Sequence, residues 1–119
     1  LNILRIGFVA SEITKHGGIA ICAPIAPYKE TREKVRETIS EYGKFFEVFV
    51  STSLAVCEMR DRKGLYEKAR MGLIPHFTGV NDPYEVPESP EFVIDTQTCS
   101  PVEGAQVIFR RLENEGFIR

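Results

Sequence analysis

Nothing in the charge balance of this chain marks it for a polyanion or a bilayer. Its 15 lysines and arginines face 17 aspartates and glutamates, a formal net charge of −2 over 119 residues. Bulk charge of that size recruits neither nucleic acid nor an anionic membrane. No apolar run approaches the roughly 18 residues of a membrane-spanning helix, and no signal peptide is visible. Cysteine is sparse: Cys22, Cys57 and Cys99 are odd in number and far apart, with no metal-ligand pairing. Cys22 lies in an apolar stretch, which predicts a reduced core thiol and a cytoplasmic compartment. Also missing is a phosphate-binding loop. That loop offers backbone N–H groups at a helix N-terminus to phosphates, with Lys on the outer oxygens and a hydroxyl on Mg²⁺. The double glycine Gly17-Gly18 precedes an apolar run rather than a helix, and no Lys-Ser/Thr follows it. These residues therefore cannot cradle a triphosphate in that way.

What is present is an alternation of helix and strand patterns. Ile3, Leu4, Phe8, Val9 and Ile13 fall largely on one helical face, and Gly17-Gly18 stops that helix. Ile19 to Ala26 reads as a parallel strand buried on both faces. Tyr28 to Tyr42 is charged, with Val35, Ile39 and Tyr42 at helical spacing, and predicts a surface helix closed by Gly43 at C′. Phe46–Ser51 predicts a second buried strand, then a short helix capped by Thr52 through Met59, then Leu65 to Met71 ended by Gly72. Phe92–Asp95 predicts a third strand. Ser100-Pro101-Val102-Glu103 is a helix start with a capping hydroxyl, proline at the first position and Glu three residues on. Val102, Ala105, Phe109 and Leu112 are the expected buried stripe of that last helix, and Gly116 ends it. The fold class is α/β with a mainly parallel sheet and right-handed crossovers. Length allows one domain or part of one. Three parallel strands make a narrow sheet, so about two more are expected on the N-terminal side; a start at Leu1 rather than Met agrees.

Between the second and third strands lies a long excursion, about residues 60–90, of the kind that forms lids and binding loops. It carries Arg60-Asp61-Arg62-Lys63-Gly64-Leu65-Tyr66-Glu67-Lys68-Ala69-Arg70, then His76-Phe77-Thr78-Gly79-Val80-Asn81-Asp82-Pro83-Tyr84-Glu85. Cations with an aromatic at the far end suit a ligand that combines an anionic group with a flat base. His16 and His76 are unconvincing as catalysts, since His16 sits near a helix C-terminus that favours a cation. The charges from Glu30 to Glu41 read as a solvated face.

This run closely resembles the adenylylsulfate kinase family, in R-D-x-K-G-L-Y-x-K-A-R and F-T-G-[IV]-x-D-P-Y-E. The likeness extends along nearly the whole chain. Leu1 to Gly7 is similar to E-N-I-R-R-I-G, Ala20 to Tyr28 to I-V-I-C-A-F-I-S-P-Y, and Glu47 to Leu54 to E-V-F-V-D-T-P-L. Cys57-Glu58-Met59-Arg60-Asp61 and Pro83 to Glu91 match C-E-x-R-D and P-Y-E-x-P-E-x-P-E. The resemblance implies one incomplete domain over residues 1–119, a three-layer P-loop-kinase-like parallel sheet whose N-terminal strands and P-loop are missing here. It implies transfer of the ATP γ-phosphoryl group to the 3′-hydroxyl of adenosine 5′-phosphosulfate, with ATP and Mg²⁺ held mainly by the upstream loop and an Asp-Gly-Asp motif.

By the same resemblance Ile25, Ala26, Lys63, Phe77, Thr78 and Gly79 bind substrate, with Phe77 stacking on its adenine, and Arg60 and Asp61 bind ATP. The plainer alternatives are a solvated Lys63, a small loop core around Phe77, and an ion pair between Arg60 and Asp61. No catalytic residue and no metal ligand is assigned within the chain. The serine phosphorylated in the family is Ala26 here, its neighbouring Phe is Pro24, and the Lys-Gly before Phe-Thr-Gly is Pro75-His76. Expected partners are adenosine 5′-phosphosulfate and ATP, with neither nucleic acid nor membrane; the expected assembly is a homo-oligomer, either free-standing or fused to an ATP sulfurylase. The competing expectation is an inactive kinase-like module that binds 3′-phosphoadenylylsulfate and regulates a fused sulfurylase.

Overall fold

The computed structural model describes residues 2–119. In chain order the elements are α1 (Asn2–Lys15), α2 (Lys29–Ser40), β1 (Val48–Val50), α3 (Leu54–Arg60), α4 (Leu65–Arg70), β2 (Phe92–Ile94) and α5 (Pro101–Asn114). They form two compact units. One comprises the chain up to Phe45 with Pro75–Glu88, the other Phe46–Ile74 with Ser89–Arg119.

In the first unit α1 packs on α2 through its small residues. Gly7, Ala10 and Ser11 are buried, and a Cβ on Gly7 would lie 2.6 Å from Val35 Cγ2, so only glycine admits this approach. The hydroxyls of Ser11 and Thr14 are satisfied by the carbonyls of Phe8 and Ala10 at 2.7 and 2.9 Å. Most of the expected face is exposed instead: Ile3 is half-buried, but Phe8 is 63% and Val9 58% exposed. The helix has two apolar stripes, and the one without a bulky side chain brings the backbones closer. Its end is as expected. Gly17, at φ 79°, donates to Thr14 and Gly18 to Ile13, both at 2.9 Å, the paired bonds of a left-handed helix stop. α2 closes with Glu41 as its C-cap, so Gly43 falls one residue beyond the expected C′ position and donates to Ile39 at 3.1 Å.

The stretch Ile19–Ile25 is not a strand. A strand exists by its ladder, and the only sheet among the described residues joins β1 to β2. Pro24 also lacks an N–H to contribute. Ile21 is 94% exposed and Cys22 is an exposed free thiol rather than a core residue.

In the second unit β1 and β2 run parallel, Val48 opposite Phe92, Phe49 opposite Val93 and Val50 opposite Ile94. The ladder continues through Phe92 N–H to the Glu47 carbonyl at 3.1 Å and Ser51 N–H to the Ile94 carbonyl at 2.9 Å. The expected three-stranded sheet is thus two-stranded here. Phe46 stacks at a tilt on Phe92, 5.8 Å between centroids, and meets Phe117 edge-on at 5.9 Å. α5 begins as expected: Ser100 Oγ accepts from Glu103 N–H, Glu103 accepts from Ser100 N–H, and Pro101 leads the first turn. Its stripe differs. Val102 and Phe109 are exposed, while Gly104 is buried and Ile108 and Leu112 are half-buried. Gly104 wins because it lets the helix settle on Ile94, whose Cγ2 would lie 3.2 Å from an added Cβ.

Candidate substrate and nucleotide residues

The first unit gathers two segments distant in sequence. Ala26 stands at φ 44°, in left-handed territory that a non-glycine residue adopts only when held there. Its carbonyl accepts from Arg32 Nη1 at 2.8 Å. The other fork of Arg32 donates to the Glu85 carbonyl at 2.7 Å, and its guanidinium lies 5.9 Å from the centre of the Tyr84 ring. Glu85 returns two bonds: its N–H donates to the Pro27 carbonyl at 2.9 Å, and its carboxylate accepts from Lys29 N–H at 2.5 Å. α2 has no side-chain cap from Tyr28; an anion from 56 residues away serves its first amide, where the helix dipole favours it. Lys29 Nζ also meets Glu88 at 2.8 Å. The hydrogen bond and the charge of that pair raise the Lys29 ammonium and lower the Glu88 carboxyl from their ordinary values.

Phe77 starts a tight turn in the same unit. Its carbonyl accepts from the amides of Val80, Asn81 and Asp82 at 3.0 to 3.2 Å, its own amide donates to Asn81 Oδ1 at 2.5 Å, and Gly79 N–H reaches the Asp82 carbonyl at 2.7 Å. Thr78 bridges Asp82. Four hydrogen bonds to the Phe77 backbone, one of them from its amide to the Asn81 side chain, fix the base of its side chain, which is half-buried together with Thr78 and Gly79. His76 meets Asp82 at 3.5 Å, a loop contact. His16 Nδ1 lies 2.7 Å from the Glu12 carbonyl at the end of α1. Ile25 is exposed, and no strand end positions it.

In the second unit the ends of β1 and β2 meet at two threonines. Thr52 Oγ1 lies 2.7 Å from Thr96 Oγ1 and accepts from Thr96 N–H at 3.0 Å. This is why Thr52 does not cap α3, whose N-cap is Ser53. Arg60 clasps the same residue, Nη1 on the Thr96 hydroxyl at 2.6 Å and Nη2 on its carbonyl at 3.0 Å. Asp61 faces elsewhere: its carboxylate accepts from Tyr66 and Glu67 amides at 3.0 Å each and caps α4. Those amides, Glu67 first, hold the Asp61 carboxyl below its ordinary value. Arg60 and Asp61 are thus separate devices rather than an ion pair. Arg70 pairs with Glu58 at 2.5 Å. Burial, then neighbouring Cys57, pushes the Tyr66 phenol up. Lys63 is exposed just before Gly64, which enters α4 at φ 62°.

Arg32 and Thr96 were not singled out in the sequence, Thr52 was expected only as a helix cap, and Glu85 only as part of the long excursion. The available signal was position: the threonines each follow a parallel strand by two residues, on the carboxyl side where open α/β sheets bind ligands. Among the described residues no group of three or more His, Cys, Asp or Glu side chains is placed to hold a metal ion.

Two parallel strands with helices around them and a long excursion between them define a protein of the α/β class. The family model for adenylylsulphate kinase matches residues 1–95. The chain belongs to the adenylylsulfate kinase family. It is 50% identical over 118 residues to an adenylyl-sulfate kinase of Synechococcus sp. (strain JA-3-3Ab), covering 99% of this chain and 65% of that protein. It is 48% identical over 117 residues to a sulfate adenylyltransferase of Chaetomium globosum, covering 98% of this chain and 20% of that protein. The solved Mycobacterium tuberculosis APS kinase in complex with AMPPNP and APS superposes with a TM-score of 0.88 at 40% identity, covering 94% of this chain and 65% of the other. The chain therefore spans less than two thirds of each of these relatives.

Proposed function

We propose that this chain supplies the substrate side and the lid, residues 60–90, of an adenylylsulfate kinase. One observation carries the reading: the run from Arg60 to Glu91 keeps the family pattern without a gap, within a chain half identical to a kinase of that activity. In the reaction the 3′-hydroxyl oxygen of adenosine 5′-phosphosulfate bonds to the γ-phosphorus of ATP. The bond from that phosphorus to the β–γ bridging oxygen breaks, ADP leaves, and the hydroxyl proton is released. Such transfer depends on positioning and charge rather than on a protein nucleophile, so Ala26 in place of a serine does not block it. By the family pattern, Phe77 stacks on the substrate adenine, Ile25, Ala26, Lys63, Thr78 and Gly79 bind the same substrate, and Arg60 with Asp61 serves ATP. A cytoplasmic site of action belongs to this reading; no described helix is long and apolar enough to cross a membrane.

A second reading, a binding module within a fused sulfurylase, draws on the 48% identity to one fifth of a sulfate adenylyltransferase. The deciding experiment incubates the full-length encoded protein with adenosine 5′-phosphosulfate and γ-labelled ATP. Label in 3′-phosphoadenylylsulfate supports the kinase. Product binding without label transfer supports the module, and the absence of both label transfer and product binding overturns both readings.

A further inference from the structure

We infer that Arg32 is a positioning residue that sets the affinity for the sulfated nucleotide, by stapling the turn at Ala26 to the Pro83–Glu85 segment. The inference rests on the functional reading above and adds a residue that reading does not use. Three observations support it. Arg32 gives one fork to the Ala26 carbonyl, 6 residues back, and the other to the Glu85 carbonyl, 53 residues on. Glu85 closes the loop through its bond to the Pro27 carbonyl and its carboxylate on the first amide of α2. Ala26 holds a positive φ, a conformation that persists in a non-glycine residue only when its surroundings enforce it.

The chemistry requires arginine. Two divergent N–H groups in one rigid plane reach two carbonyls at once, with the flat face left for Tyr84. Lysine presents one compact ammonium and cannot span both. Because Glu85 terminates the segment that begins with the Phe77 turn, the staple fixes where that turn departs from the floor at Ala26. Losing it would leave the fold standing and let the two sides of the substrate site drift.

The test uses the full-length protein with Arg32→Gln, Arg32→Lys and, as a control on the same helix, Arg36→Gln, whose guanidinium lies over Phe45. Arg32→Gln should raise KM for adenosine 5′-phosphosulfate about tenfold, the equivalent of one charge-assisted hydrogen bond, with KM for ATP changed less than about twofold. Arg32→Lys should recover only part of that loss, and Arg36→Gln should match the parent. Hydrogen exchange at the Glu85 amide should quicken in Arg32→Gln alone. Equal changes for both substrates, full recovery by lysine, or unchanged Glu85 exchange would overturn the inference. If the parent protein transfers no phosphoryl group, the functional reading fails. The staple is then judged by Glu85 exchange and by calorimetric binding of adenosine 5′-phosphosulfate, where an unchanged affinity in Arg32→Gln overturns it.

Discussion

Phe77 and Lys63, the two side chains proposed to meet the substrate, differ in how they are held. Phe77 has its backbone locked by the amides of Val80, Asn81 and Asp82 and by the Asn81 side chain, so stacking on a base, as proposed, would require little further ordering of that backbone. Phe77→Ala should weaken adenosine 5′-phosphosulfate binding by about 1–3 kcal/mol, the range for a lost stacking platform, while ATP affinity falls less. Lys63 is exposed, and its pull on an anion is screened by added ions. The affinity lost in Lys63→Ala should therefore shrink as salt rises. Calorimetry on the full-length protein checks both; equal losses for the two nucleotides would mark the loop as structural. At Ala26 the expectation is an absence. With no hydroxyl there, incubation with labelled ATP should leave no acid-stable label in the peptide containing Ala26, and label mapping to that turn would contradict direct transfer.

The short helix α4 depends on one carboxylate. Asp61 accepts the Tyr66 and Glu67 amides at its N-terminus, and these bonds favour the charged form, holding its carboxyl below the ordinary value. A carboxyl with a depressed folded value contributes stability that is present above the unfolded value, about 3.9. That contribution is lost as pH falls through the lower folded value. Amide exchange at Tyr66 and Glu67 should therefore stay slow to below the ordinary carboxylate range and then rise. In Asp61→Ala it should be fast at every pH. Titration of Asp61 at its ordinary value by NMR would refute the capping role. Among the longer elements, α5 was legible because its start is chemical: hydroxyl, proline and carboxylate at fixed spacing. Its buried stripe was not, because a hydrophobicity pattern ranks Val102 and Phe109 above Gly104, whereas packing on Ile94 selects the residue with no side chain.

Across the whole chain large apolar residues remain in contact with water, among them Phe8, Val9, Ile21, Ile25, Val93, Val102 and Phe109. An open groove of about 480 Å³ lined by Ile6, Val9, Ile13, Ile19 and Ile21 adds to them. Surface of this kind marks interaction faces or aggregation liabilities. The 119-residue chain alone should bind a hydrophobic dye and unfold over a broad range. A sharp, high-temperature unfolding transition of a monomer, without dye binding, would contradict this.

Local chemistry and spacing carried far. Glycine stops ended α1 at Gly17 and α5 at Gly116, the latter through Phe117 N–H to the Leu112 carbonyl at 2.9 Å. The strand cores Val48–Val50 and Phe92–Ile94 lay within their expected ranges, and the pattern of the long excursion between them named the family. These properties reside in a few consecutive residues, so the sequence alone determined them. Whether Ile19–Ile25 forms a strand depends on a neighbouring strand that its own residues do not encode. The face of α1 that is buried depends on Val35 opposite Gly7. The meeting of Arg32 with Glu85, and of Arg60 with Thr96, joins residues 53 and 36 positions apart. Only the tertiary structure decided these, because pairing, close approach and clasping are properties of two chain segments together, and a local pattern describes only one.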